Sequence, residues 1–381
     1  MMYKRVILLL IAGMMLVLSG CGTLFSDTPS TEGVSEYTET DTSACTEPAA
    51  LEKTSYSIAE HRALFKITGR YTVLFNGITC DWSAAGIAFN AECEGEVAVE
   101  LSCTAPVWWR VWINGQRQDE IIKCEAGNCR IVLAEGLERG HYSIKLARMT
   151  DIKTSLAVLR SLELEKGYLE ARPADKPVYI EFVGDSLTCG TGIMNGWQNS
   201  DANAGGYLFM DATSTYAFQL ANDYFTNVDY SFVSVAGSHV ATSAKYENYL
   251  EVYPYTSFKR SDEIYQTPRS ADLVVVNLGT NDAFQNLDKN EFQANLKTLI
   301  EWIRDDHGQE VKILFVHDFM NDNYIDACVS VIVAMGGEAA GLYYVSVERD
   351  TAGGANHPSQ AGHDAAAEVL WLYIRGKKLL S

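Results

Sequence analysis

Apolar and polar positions change rhythm once along this chain. Between about residue 56 and residue 170 they alternate in short runs, at Arg70–Phe75, Gly86–Phe89, Val97–Leu101, Trp108–Ile113 and His141–Ala147, broken by Gly, Asn and charged turns. A period of two marks strands with one buried face. Asn114–Gly115 supplies the two positive-φ positions of a type I′ turn, which predicts a hairpin over Val111–Arg117. Short strands at this spacing predict a small β-sandwich of the jelly-roll type.

Pro173 and Pro177 mark a change. Apolar, β-branched runs at 178–183, 229–235, 272–278, 311–317 and 342–347 then alternate with helical spacing at 214–226, 288–305, 323–335 and 359–376. Strands buried on both faces and separated by helices predict a parallel sheet in a three-layer α/β/α fold. The expected organisation is therefore a β-sandwich over 56–170 followed by a three-layer α/β/α domain over 176–381. No internal repeat is visible.

The first residues read differently. Lys4 and Arg5 precede an apolar stretch from Val6 to Leu18, and Leu18-Ser-Gly-Cys21 follows. A charged start and a short apolar core describe a secretory signal, too short for a comfortable membrane span. The last four residues resemble a bacterial lipobox, which implies cleavage before Cys21 and diacylation of its thiol. Two acyl chains suffice for stable anchoring. Residues 22–55, rich in Ser, Thr, Glu and Gly, cannot bury enough apolar surface to fold and predict a disordered tether. The expected location is the cell surface, as an anchored lipoprotein or a secreted protein.

Charge narrows the partners. The formal net charge of the 381 residues is −19, with no basic patch, which argues against nucleic acid and polyanionic substrates and tolerates neutral polysaccharide. Of the nine cysteines, Cys21 belongs to the lipobox and Cys45 to the tether. Cys124 and Cys129 flank a turn-like Glu-Ala-Gly-Asn and invite a hairpin disulfide outside the cytosol. Zinc is the rival, but no Cys-x-x-Cys with matched histidines accompanies them.

The chemistry concentrates at four segments. Gly184-Asp-Ser-Leu187 ends the first parallel strand, Val235-Ala-Gly-Ser238 follows the second, and Leu278-Gly-Thr-Asn-Asp282 follows the third. Gly353-Gly-Ala-Asn-His-Pro-Ser-Gln-Ala-Gly-His363 precedes the last helix. All lie where open α/β sheets carry their sites. A serine hydroxyl is a poor nucleophile until a base takes its proton, so Ser186 is the candidate nucleophile and His357 the candidate base.

These four blocks, in this order over residues 178–381, resemble the SGNH (GDSL) hydrolase superfamily, which implies a flavodoxin-like three-layer α/β/α domain. With a β-rich segment in front, the chain resembles carbohydrate esterase family 2, which removes acetyl groups from plant cell-wall polysaccharides. The resemblance implies an acetyl-enzyme on Ser186. It also implies an oxyanion hole made by the Ser186 N–H, the Gly237 N–H and the Asn281 amide. No cofactor or metal is expected, and a monomer is. The substrate implied is acetylated glucomannan or xylan, with 6-O-acetyl hexose favoured. Alternatives are another SGNH activity (a lipase, a thioesterase or an envelope-polymer deacetylase) or a non-catalytic carbohydrate-binding lipoprotein.

One position departs from the pattern. The family usually carries an Asp two or three residues before the histidine, where this chain has Ala355 and Gly354. Either Asp350 reaches back, or a backbone carbonyl near Gly354 accepts the imidazole N–H and the site is a Ser–His dyad, the preferred reading. Asp185 is expected to shape the nucleophile loop and Asp282 to bond its own turn. His363 and His317 are read as structural. Trp197 is the candidate sugar platform, with Tyr207, Phe209 and Tyr216 as weaker ones. Of Trp108, Trp109 and Trp112, at least one must face the core, leaving an outward one for glycan or for the hydrolase domain.

Overall fold

The computed structural model describes residues 50–194, 210–243, 247–322 and 324–380. Cys21, Cys45, nearly all of the tether, Trp197, Tyr207 and Phe209 lie outside the described residues. Residues from Ala50 onward form one compact unit.

The β-rich portion contains β1 (Thr54–Ser57), β2 (Lys66–Thr68), β3 (Val73–Leu74), β4 (Gly77–Thr79), β5 (Gly86–Cys103), β6 (Val107–Ile113), β7 (Gln116–Arg117), β8 (Ile122–Cys124), β9 (Gly127–Arg148) and β10 (Ala157–Leu169). They join in one antiparallel network around β10, β5, β9 and β6. The expected short strands at Gly86–Phe89 and Val97–Leu101 are two stretches of one 18-residue strand, β5. Register shifts around Gly95, whose φ is +86°, interrupt its pairing with β9 and hide the continuity from the alternation pattern. The hairpin forms as expected: β6 pairs with β7, with Asn114 and Gly115 at φ 51° and 79°.

The α/β portion holds β11 (Val178–Gly184), β12 (Val228–Ser234), β13 (Leu273–Asn277), β14 (Lys312–His317) and β15 (Leu342–Ser346), all parallel in the order β12-β11-β13-β14-β15. This is the flavodoxin-like order, and β11 and β13 flank its switch point. The helices are α1 (Ser186–Cys189), α2 (Tyr216–Gln219), α3 (Thr280–Gln285), α4 (Lys289–His307), α5 (Ile325–Ala334) and α6 (Gln360–Lys377). The helix expected over 214–226 is broken into a 3₁₀ turn, the short α2 and a π segment, because Asp211 and Thr215 each cap a separate turn.

The β-rich portion is bolted onto the α/β portion by polar contacts to buried carboxylates. Arg110 and Arg117 both pair with Asp211 in the loop before α2. Arg260 forks onto Asp81 at 2.6 and 2.9 Å. Arg70 reaches Glu181 in the middle of β11, and Tyr253 and His307 bond the same carboxylate at 3.1 and 3.2 Å. Trp109 is fully buried in the β-rich core, and Trp112 stacks on Phe218 of the α/β portion at 5.3 Å. Tyr216 is also buried, its hydroxyl 2.8 Å from the Thr188 hydroxyl, so it is core and not a sugar platform.

Among the described residues all seven cysteines are free thiols. The clip expected between Cys124 and Cys129 is not formed, and the Cys124 sulfur lies 3.5 Å from that of Cys103. No cluster of three His, Cys, Asp or Glu side chains suited to a metal ion occurs among them either.

Candidate active site

Ser186 opens α1 directly at the end of β11. The Asp185 side chain accepts the Leu187 N–H at 3.0 Å and caps the turn. As the first helical residue, Ser186 has a backbone N–H with no intrahelical acceptor. Asp185 therefore shapes the nucleophile loop. Burial pushes its carboxyl up to about 7, with repulsion from Asp282 adding to the effect.

The parallel register puts the neighbouring blocks on either side. Gly184 pairs with Ser234 of β12 and with Asn277 of β13, and the Val235 N–H donates to the Gly184 carbonyl at 3.1 Å. The loop beyond β12 carries Gly237 at φ 79°. α3 carries Asn281, whose amide donates to the Asp185 carboxylate at 3.2 Å and to the Ser238 carbonyl at 3.1 Å. Asn281 therefore adjoins the nucleophile loop with both amide hydrogens engaged. Donating to an oxyanion would require giving up one of these bonds. The sequence predicts that Asp282 bonds its own local turn, but beyond its own N–H its carboxylate reaches outside that turn. It accepts the Val240 N–H at 3.1 Å and the Ala241 N–H at 2.7 Å, tying the loop beyond β12 to α3. Burial pushes Asp282 up to about 6.

His357 sits half-buried just before α6. Its Nε2 lies 3.0 Å from the Ser186 Oγ, and its Nδ1 lies 3.1 Å from the Ala355 carbonyl oxygen. A carbonyl can only accept, so Nδ1 carries the proton and Nε2 is left as the acceptor of the serine O–H. Burial lowers the imidazole's affinity for a second proton, while the Ala355 and Gly354 carbonyls act in the opposite sense. The facing carbonyl belongs to Ala355, next to Gly354. The Gly354 carbonyl accepts the His357 backbone N–H at 3.0 Å. Asp350 points elsewhere: it accepts the Ser359 N–H at 2.9 Å and the Ala352 N–H at 2.8 Å, and it bonds the Ser359 hydroxyl. Ser359 is the N-cap of α6, so Asp350 braces the start of that helix.

The loop before His357 is unusual. Ala355 and Asn356 both take positive φ, at 52° and 57°. Asn tolerates this, whereas for Ala the left-handed region is uncommon and costs about 1–3 kcal/mol. The strain sits on the residue whose carbonyl meets the imidazole. Gly192 supports the loop from below: its carbonyl accepts the Gly354 N–H at 2.8 Å, and a Cβ on Gly192 would meet the Gly354 oxygen at 2.3 Å and the His357 Cβ at 2.8 Å. Sequence reasoning missed Gly192, although a glycine six residues after the nucleophile was visible. The other histidines stay structural. His363 is buried, takes the Tyr216 N–H at 3.3 Å, and is pushed down to about 3 by burial. His317 is buried at the end of β14 beside Tyr344.

A cleft of 1240 Å³ lies elsewhere, lined by Lys66, Tyr71, Tyr179, Asp229 and Tyr265. Its walls include Tyr179 and Val228, at the amino ends of β11 and β12, so it is on the edge of the sheet away from Ser186.

Residues 182–365 match the GDSL-like Lipase/Acylhydrolase family. This segment is similar to the GDSL/SGNH acylhydrolases. The chain is similar to Cellulase/esterase CelE of Acetivibrio thermocellus, 25% identical over 79% of this chain but only 38% of that protein's length. It is also similar to the acetylxylan esterase / glucomannan deacetylase of Cellvibrio japonicus, 22% identical over 64% of this chain and 72% of the relative. A family two carbohydrate esterase from Clostridium thermocellum, solved with cellohexaose, superposes with a TM-score of 0.76, covering 83% of this chain and 100% of that one at 22% identity. The shared fold thus includes the β-rich portion as well as the GDSL/SGNH segment.

Proposed function

We propose that this protein is a serine carboxylic ester hydrolase that removes O-acetyl groups from plant cell-wall polysaccharide, glucomannan or xylan, with 6-O-acetyl hexose favoured. The observation that carries the reading is the 3.0 Å contact of Ser186 Oγ with an imidazole whose other nitrogen faces a carbonyl. Ser186 Oγ attacks the acetyl carbonyl carbon as His357 Nε2 takes its proton. The tetrahedral oxyanion is met by the Ser186 and Gly237 N–H groups and by the Asn281 amide, which gives up one of its two present bonds to reach it. Collapse expels the sugar oxygen, which takes the proton from Nε2, and leaves Ser186 acetylated. Water, deprotonated by His357, then releases acetate. The similarity to an acetylxylan esterase / glucomannan deacetylase and to a family two carbohydrate esterase supports the substrate class.

The dyad is part of this proposal. A carbonyl holds the tautomer as a carboxylate would, but it offers no buried anion to the imidazolium. So is the location: Lys4, Arg5, the apolar run Val6–Leu18 and Cys21 support a lipid anchor holding the enzyme at the cell surface. The test is acetate release from acetylated glucomannan and acetylated xylan by the protein and by Ser186→Ala. Release by the wild type alone is expected. Equal release by both, or none by either, would sink the reading.

A further inference from the structure

The β-rich portion reaches the edge of the site through one loop. Between β9 and β10, Asp151 is buried and its carboxylate accepts the Ala236 N–H at 3.0 Å. Two residues on, the Lys153 ammonium donates to the Ala236 carbonyl at 2.9 Å. Each group is itself held. Asp151 also takes the Thr154 N–H at 3.2 Å, and Lys153 pairs with Glu247 at 3.0 Å, which pairs in turn with Lys259 at 2.9 Å.

The Ala236 carbonyl and the Gly237 N–H belong to one planar peptide unit and point in opposite directions. A cation seated on that oxygen fixes the plane's rotation and withdraws electron density from the amide. The Gly237 N–H, on the other side, becomes a stronger donor through the same polarisation that strengthens hydrogen-bond chains. Gly237, at φ 79°, sits in a left-handed turn closed by the Ser238 N–H on the Val235 carbonyl at 3.2 Å, a bond that does not itself engage the Ala236–Gly237 peptide.

We propose that Lys153, backed by Asp151, is a positioning residue that aims and polarises the Gly237 N–H toward the developing oxyanion. This rests on the esterase reading above, in which Gly237 is an oxyanion donor. It gives the β-rich portion a part in the chemistry beyond bracing, because the loop belongs to that portion while the donor belongs to the α/β portion.

The experiment compares wild type, Lys153→Met and Lys153→Arg, with Ser186→Ala as control, on 4-nitrophenyl acetate. Amide exchange of the peptide Val235–Ser243 is followed by mass spectrometry. Removing an oxyanion donor outright costs roughly 10²–10³ in kcat, so losing its support is expected to cost about tenfold. KM should stay within about twofold, because the oxyanion exists only in the transition state. Lys153→Arg should recover most of the rate, and exchange in the peptide should quicken in Lys153→Met. Wild-type kcat in Lys153→Met, a rise in KM alone, or a fall in kcat that Arg does not recover overturns the proposal. If wild type shows no Ser186-dependent turnover, the esterase reading fails instead. Exchange then decides the clamp by itself, and unchanged exchange in Lys153→Met overturns that too.

Discussion

Asp350 and Ser359 are bonded to each other twice, through the serine's N–H and its hydroxyl, and this engagement turns the Asp350 carboxylate toward the start of α6. The carboxylate weighed as a third triad member is thus occupied in capping a helix, while the imidazole N–H has the Ala355 carbonyl. Asp350→Asn should therefore keep activity on 4-nitrophenyl acetate within about tenfold of wild type and cost about 1 kcal/mol of stability, the scale of a weakened N-cap. A fall of about 10⁴ in kcat would mark a true triad carboxylate and end the dyad reading.

The pH dependence follows from the same arrangement. Catalysis needs neutral His357, and burial holds its pKa below the ordinary histidine range. Lowering a base's pKa extends its neutral form to more acid solution, so the acid limb of kcat/KM should fall with a midpoint below about 6.5. Asp185, pushed up to about 7, and Asp282, pushed up to about 6, are buried carboxyls near the nucleophile that titrate in the same range, Asp185 being the nearer to Ser186. Measured from pH 4 to 9, Asp185→Asn should leave the acid midpoint in place. A midpoint above about 6.5, or one that moves in Asp185→Asn, would assign the limb to another group.

Gly192 makes a stronger demand on the backbone than the sequence announces. It combines a φ of 80° with direct contact to the His357 loop. Gly192→Ala should push Gly354 and His357 away from Ser186, lowering kcat roughly a hundredfold, the scale of a 1 Å misplacement, with less change in KM. Wild-type kcat in this variant would mean that the loop yields without cost.

What was legible in the sequence was legible for local reasons. The run Val178–Gly184 is buried along almost its whole length, and buried parallel strands read as continuous apolar segments. The termini of α4 and α6 are close to expectation because Asp288 and Ser359 are N-caps with unambiguous side chains. The pairing of Ser186 with His357 followed from motif order at one sheet edge. The rest was non-local or lay in the backbone. The carbonyl facing His357 is selected by positive φ at Ala355 and Asn356, which side-chain identity at Ala355 does not advertise. Asp282 bonds amides about forty residues away, and Asp151 and Lys153 meet Ala236 from the other portion of the fold. The hidden length of β5 has the same origin, since a bulge resets the alternation that strand recognition depends on.

The Arg70–Glu181 pair yields a prediction about stability. Both side chains are fully buried, and Glu181 lies on the nucleophile's own strand. Burial alone would raise Glu181, but Arg70, His307 and Tyr253 outweigh it and hold its carboxyl at about 2, below the usual 4.5. A depressed carboxylate pKa contributes stability that is complete above the unfolded value and is lost as pH falls through the folded one. The contribution should therefore be present above about pH 4.5 and disappear towards pH 2. Arg70→Met leaves the carboxylate without its cation and should cost about 3–5 kcal/mol at neutral pH in urea unfolding. Adding Glu181→Met removes the stranded charge and should recover a good part of that loss, since apolar replacements of buried pairs are often neutral. A cost below about 1 kcal/mol for Arg70→Met, or no recovery in the double variant, would mean that water or another cation solvates Glu181 and that the β-rich portion is held to β11 by packing alone.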